Sequence, residues 1–153
     1  MKYLKIALFR TLSLIFALVI SIHAKGSEQL VNYYFSAAKT GQTDVIEEFV
    51  NNGFPINLAN DMSYTALMMA TYYGHTQTVD RLLALGADAC LRDKRGNTAM
   101  MGAIVKAEWG IARKLYKQTC KASDKNQKTV EQFAAIFGQT EKLQALAAEL
   151  NDK

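Results

Sequence analysis

The chain has 153 residues, 50% of them hydrophobic and 21% charged, with nine glycines and one proline. That composition excludes a collagen-like or low-complexity chain and points to a single globular domain. The formal net charge is +4, but Lys2, Lys5 and Arg10 stand in an N-terminal segment that reads as removable; without them, fifteen basic residues face fourteen acidic ones. So small an excess is no footprint for a polyanion, and it removes the bulk-charge argument for a nucleic-acid partner.

The N-terminal segment has the layout of a secretory signal, predicted over residues 1–24. Lys2, Lys5 and Arg10 precede an apolar run from Thr11 to Ile22, and Ser21-Ile22-His23-Ala24 places a small residue at a cleavage point after Ala24; a cut after Gly26 is the alternative. The run is about a dozen residues, short of the roughly 18 to 20 that cross a bilayer as a helix. The expectation is therefore a periplasmic or secreted protein with no stable membrane insertion after cleavage, an uncleaved anchor being the other reading.

The remainder, 25–153, repeats itself. Thr65-Ala66-Leu67-Met68 returns 33 residues later as Thr98-Ala99-Met100-Met101, and Thr129-Val130 follows after 31 more. Ala37, Ala70, Ala103 and Ala134 keep the same register, as do Gly41, Gly74 and Gly138 with Ala107 in the third slot. Thr65, Thr98 and Thr129 each stand where a hydroxyl can cap a following helix. Leu67, Ala70 and Thr71 share one face at helical spacing, and Val79, Leu82 and Leu83 form the stripe of a second helix closed at Gly86. Neither helix can bury its stripe alone, so stacked pairs must share a core.

The block from Asp61 to Leu91 gathers these features: Thr65-Ala66-Leu67, Ala70, Gly74-His75, Val79, Leu82-Leu83 and Gly86-Ala87-Asp88. This resembles the ankyrin repeat, whose pattern is a turn, Thr-Pro-Leu-His, a short helix, Gly-His, and a second helix ending in Leu-Leu before Gly-Ala. The resemblance implies an all-α ankyrin-repeat solenoid of about four helix-turn-helix repeats with projecting β-turn fingers, over about 28–60, 61–93, 94–123 and 124–153. The family's Pro is Ala66, Ala99 or Val130 here and its His is Met68, Met101 or Gln132, so apolar packing has to replace that histidine's bonds.

An enzymatic reading fails on inventory. His75 is the one histidine after the signal segment, and it occupies the pattern's Gly-His slot, so no Ser-His-Asp, Cys-His or His-rich metal grouping can be assembled. Glu47 and Glu48 are neighbours on an outer helix, which suits a solvated face better than an acid/base pair. No cofactor is expected. Cys90 and Cys120 lie 30 residues apart, each just after a second helix. An even count in an exported protein favours a disulfide, whereas equivalent positions in stacked repeats lie about a helix diameter apart, too far for one. Bridge and separate thiols both stay open.

Two surfaces are candidate contact sites. Basic residues concentrate between Ala89 and Lys128, ten against three acidic, with Arg92, Lys94 and Arg95 on one projecting turn and Lys125 near the next. The resemblance implies contact sites at such fingers; solvated turns are the alternative. The first helix of each repeat offers outward slots: Met69, Tyr72 and Tyr73, then Gly102, Val105 and Lys106, then Phe133, Ile136 and Phe137. Tyr and Phe are favoured anchors at interfaces, although Ile136 and Phe137 could instead close the last repeat's core. The expected function is non-enzymatic binding of another protein. The resemblance extends to small periplasmic proteins associated with catalase and peroxide defence, which makes an oxidative-stress accessory role one setting. A metal or redox protein using the methionines and cysteines, and a secreted effector binding a host protein, are the alternatives.

Overall fold

A computed structural model describes residues 27–118, Cys120 and residues 129–151. The predicted signal segment and Lys125 lie outside the described residues. The chain divides into two compact units between Tyr33 and Tyr34, and the architecture below is that of the second.

Among the described residues eight helices follow in order: α1 (27–40, of which 34–40 belong to this unit), α2 (Thr43–Asn51), α3 (Ala66–Tyr72), α4 (Thr76–Ala84), α5 (Ala99–Lys106), α6 (Trp109–Tyr116), α7 (Val130–Ile136) and α8 (Thr140–Asn151). Among the described residues there is no strand, only an antiparallel bridge between Ala59 and Thr65. Within repeats α3 packs on α4, α5 on α6 and α7 on α8; between repeats α3, α5 and α7 stack as an inner row, and α2, α4 and α6 as an outer one. This is the all-α stack of helix pairs that the periodicity predicts, in the solenoid layout that the ankyrin resemblance implies.

The repeating residues correspond to repeating bonds. The carbonyls of Ala37, Ala70, Ala103 and Ala134 accept the N–H groups of Gln42, His75, Glu108 and Gln139 at 2.9, 2.9, 2.9 and 2.8 Å, closing the same turn four times. Each turn needs one left-handed residue: Gly41 (φ +73°), Gly74 (+76°), Ala107 (+57°) and Gly138 (+65°). Ala107 alone carries a Cβ there, and that conformation brings Cβ close to the following carbonyl.

Helix starts divide by repeat. Thr65 accepts the Met68 N–H at 3.3 Å, and Thr129 forms a reciprocal capping box with Gln132. Thr98 corrects the third expectation: its backbone is extended like the others, but its hydroxyl caps nothing, and the buried Oγ1 has no partner among the described residues. Burial of Met100 and Met101 holds that helix start instead of a capping bond. Met68, in the family's histidine slot, is buried likewise.

One apolar core runs from Tyr34 to Leu146. Its centre is Leu67, Leu82, Met101, Ile104, Ile111 and Leu115, all essentially inaccessible. Fully burying such a side chain contributes about 1.5–3 kcal/mol. Tyr34 plugs the first repeat, its ring 4.8 Å from that of Phe54 and 5.4 Å from that of Phe49, and burial pushes its hydroxyl pKa up to about 12.

Polar contacts lace the outer row. Arg81 on α4 pairs with Glu47 on α2, Lys114 on α6 with Asp80 on α4, and Arg113 on α6 with Glu149 on α8. Glu47 is therefore not merely solvated: the Arg81 hydrogen bond holds its carboxyl below the usual carboxylate range. Between repeats, the Thr43 and Thr78 hydroxyls share a part-buried hydrogen bond at 2.8 Å, and His75 Nε2 meets the Lys39 carbonyl at 2.7 Å. A Cβ on Gly41 would lie 2.6 Å from His75 Nδ1, so the missing side chain admits the ring. His75 is a structural residue of the repeat interface.

Replacing Ala107 by Gly should relieve the strain in that helix-closing turn without touching the core. We expect a gain of about 1 kcal/mol, seen as a thermal midpoint about 2–5 °C higher. A midpoint at or below that of the parent protein would show that the turn stores no strain.

Candidate functional site

The inner row is built of short helices whose apolar residues face two ways. Leu67, Ala70, Ala103 and Ala134 point into the core, while the residues two and three places after each register alanine point out: Tyr72 and Tyr73, Val105 and Lys106, Ile136 and Phe137. The five apolar or aromatic ones among these are 40–62% exposed. They border a groove of about 640 Å³ that crosses α3, α5 and α7 and is bounded by the turn ahead of α5. Ile136 and Phe137 thus face the groove and do not close the last repeat's core.

The floor comes from the slot just before each register alanine: Met69, Gly102 and Phe133. Phe133, expected as an outward slot, is 6% exposed; its ring lies 4.7 Å from that of Phe137 and joins the core while still lining the groove. Gly102 leaves a gap between two large neighbours. Met68, Tyr64, Asn97, Thr98 and Ala99 also line it, with Asp93 and Arg95 from the turn ahead of α5.

Over the exposed tyrosines lies a row of cations and rings. The Tyr72 and Tyr73 rings meet edge to face at 5.4 Å; Lys39 Nζ stands 5.4 Å from the centre of Tyr73, and Lys106 Nζ 5.0 Å from that of Tyr72. Such contacts hold a charge in place while leaving it accessible. Lys106 is among the predicted site residues. Lys39 is not, although it stands two places after Ala37, the same slot as Tyr72, and counting one repeat further back finds it.

The turn carrying Arg92, Lys94 and Arg95 is rigid for a local reason. Asp93 Oδ1 accepts the N–H groups of Arg95 and Asn97, both at 2.8 Å, and the Asp93 N–H donates to the Asn97 carbonyl. Asn60 does the same one repeat earlier for Met62 and Tyr64, and the Lys94 N–H joins the two turns by donating to the Met62 carbonyl at 3.2 Å. The three cations separate accordingly. Arg92 folds back, its guanidinium donating to the Gly96 carbonyl at 2.5 Å. Lys94 is exposed outside the groove, and Arg95 is exposed and lines it. The structure brings Met69, Tyr72, Tyr73, Arg95, Val105 and Phe133 to one groove, places Lys106 at its edge, and leaves Arg92 and Lys94 on the turn behind it.

Methionines 68, 100 and 101 are core residues, and Met69 is half-buried in the groove floor. Cys90 and Cys120 have Cα atoms 5.2 Å apart, within the span a disulfide bridges and well inside the helix-diameter spacing expected of equivalent positions. Trp109 opens α6 and packs against the core, with Lys142 Nζ 5.8 Å over its ring. No described helix is long and apolar enough to cross a membrane.

The family model described as ankyrin repeats matches three overlapping stretches, residues 7–93, 34–129 and 68–153. Protein HOS4 of Saccharomyces cerevisiae is 43% identical over 68 residues, which are 44% of this chain and 6% of that protein. The ankyrin repeat-containing protein P1E11.10 of Schizosaccharomyces pombe is 34% identical over 64 residues, 42% of this chain and 31% of its own length. An ankyrin repeat-containing protein of Treponema pallidum is 31% identical over 80 residues, 52% of this chain and 27% of that one. The chain thus spans less than a third of each of these relatives. With the four-fold turn, the paired helices and the projecting fingers, these matches show that the chain belongs to the ankyrin-repeat family, whose stacked repeats are protein-interaction modules.

Proposed function

We propose that this protein is an exported, non-enzymatic binding protein that holds another protein against the groove lined by Tyr72, Tyr73, Val105, Ile136 and Phe137. The observation that carries the reading is the alignment of these exposed apolar side chains around a single recess. Singly scattered apolar residues are ordinary on a surface, whereas a contiguous patch marks an interaction site. Tyrosine and phenylalanine supply large contact areas with few rotamers to immobilise. Arg95, fixed by the Asp93 turn, supplies a charge at the rim. Export rests on the basic, apolar and small-residue order of residues 1–24. The 5.2 Å approach of Cys90 to Cys120 supports a bridge between adjacent repeats in an oxidising compartment.

A photo-crosslinking amino acid placed at Val105 or Ile136 should trap the partner in living cells, while the same residue at Gln77 or Gln144, exposed on the outer row, should not. Tyr72→Ala with Tyr73→Ala should lower the yield several-fold, and Lys94→Glu with Arg95→Glu should weaken capture most at low salt, with thermal midpoints nearly unchanged. Crosslinking from the outer row alone would place the interface elsewhere.

Export and the bridge are tested on one preparation. Protein recovered from the periplasm should begin near Lys25 and show no titratable thiol when denatured without reductant. A start at Met1 would refute cleavage, and two free thiols would refute the bridge.

A further inference from the structure

We propose that the groove takes a segment of its partner in which one large apolar or aromatic side chain, flanked by acidic residues, enters the gap above Gly102. This rests on the groove being the docking site and names the chemistry that would fill it. The gap has a definite origin. Met69, Gly102 and Phe133 occupy equivalent slots on α3, α5 and α7, and only the middle one lacks a side chain. A Cβ built on Gly102 approaches nothing closer than Thr71 Cγ2 at 4.0 Å, so the space above it belongs to the groove and not to the core. Tyr72, Val105 and Ile136 border the groove on its open side.

Three cations and a single carboxylate surround the recess. Lys39 and Lys106 are held over Tyr73 and Tyr72, and Arg95 lines the groove from the turn ahead of α5. Among the described residues none of these three cations is paired with a carboxylate. The single acidic residue in the lining, Asp93, is spent inside its own turn: Oδ1 accepts two backbone N–H groups, and Oδ2 accepts the Asn97 amide at 3.2 Å. An apolar anchor with carboxylates beside it satisfies both the recess and the cations. A nucleic acid would satisfy only the cations and leave the apolar recess unfilled.

The test is an unbiased selection. A random peptide library displayed on phage is panned on the full chain, and enriched peptides are measured by fluorescence anisotropy against four proteins: the parent, Gly102→Leu, Lys39→Gln with Lys106→Gln, and Arg95→Gln. Gly102→Leu fills the recess and replaces a poor helix former by a good one, so it should bind worse while melting no lower. The proposal expects enriched sequences to combine one large apolar residue with flanking Asp or Glu. Their affinity should fall about tenfold or more with Gly102→Leu, and several-fold with the lysine and arginine variants, most strongly at low salt. Enriched peptides that Gly102→Leu blocks, but that are neutral or basic, would keep the groove as the docking site and overturn the acidic chemistry. Peptides indifferent to Gly102→Leu would overturn both. Failure to enrich any sequence, or displacement of the peptides by a single-stranded oligonucleotide at similar concentration, would overturn the proposal.

Discussion

A helix of seven or eight residues, such as α3 or α5, has too few turns to be stable by itself in water and too narrow a stripe to bury against one partner. Its stability comes from neighbours on two sides, and the approach of those neighbours depends on what stands at the contact. Ala37, Ala70, Ala103 and Ala134 are all fully buried, and each offers only a methyl group where the inner helices stack. That close stacking leaves the larger side chains two directions. Leu67, Met101 and Ile104 go inward to the shared core, and Tyr72, Val105 and Ile136 go outward to the groove. Docking surface and core are therefore two faces of one packing constraint.

The polar contacts impose register on that packing. Each closing bond to a register alanine sets the angle between a first helix and its second, and His75 lodged against Gly41 sets the first repeat against the next. On the outer row, Glu47 with Arg81, Asp80 with Lys114, and Arg113 with Glu149 place one ion pair at each of three successive interfaces. All are partly solvated, so their contribution is to alignment more than to stability. The Asx turns at Asn60 and Asp93 stiffen the fingers in the same manner. A groove whose walls are fixed before a partner arrives loses little ordering entropy on binding, which favours affinity at modest contact area.

The fold was legible because its geometric demands fall on residue types that few other positions require. Gly41, Gly74 and Gly138 mark a left-handed turn, the alanines mark close approach, and Thr65 and Thr129 mark helix starts. Ala107 fits the same spacing because an alanine can be forced into the turn, at some strain. What sequence did not carry was side-chain direction. Thr98 has the right type and backbone for a cap, yet its hydroxyl is buried unpaired. Phe133 stands in an outward slot and turns inward, since the last repeat has a core to complete and Phe137 beside it to stack on. Lys39 belongs to the site through a tyrosine of the next repeat, a contact between residues 34 apart that no local pattern displays. The approach of Cys90 to Cys120 was equally hidden, because repeat spacing alone argues against it.

The repeats share one core, and the groove exists only as part of it. The single tryptophan, Trp109 at the start of α6, reports on one repeat, whereas far-ultraviolet circular dichroism reports on all the helices. Equilibrium unfolding in urea followed by both signals should give superimposable transitions with one midpoint. Separate midpoints, with helical signal lost before the Trp109 environment changes, would show repeats that fold independently, without a shared core.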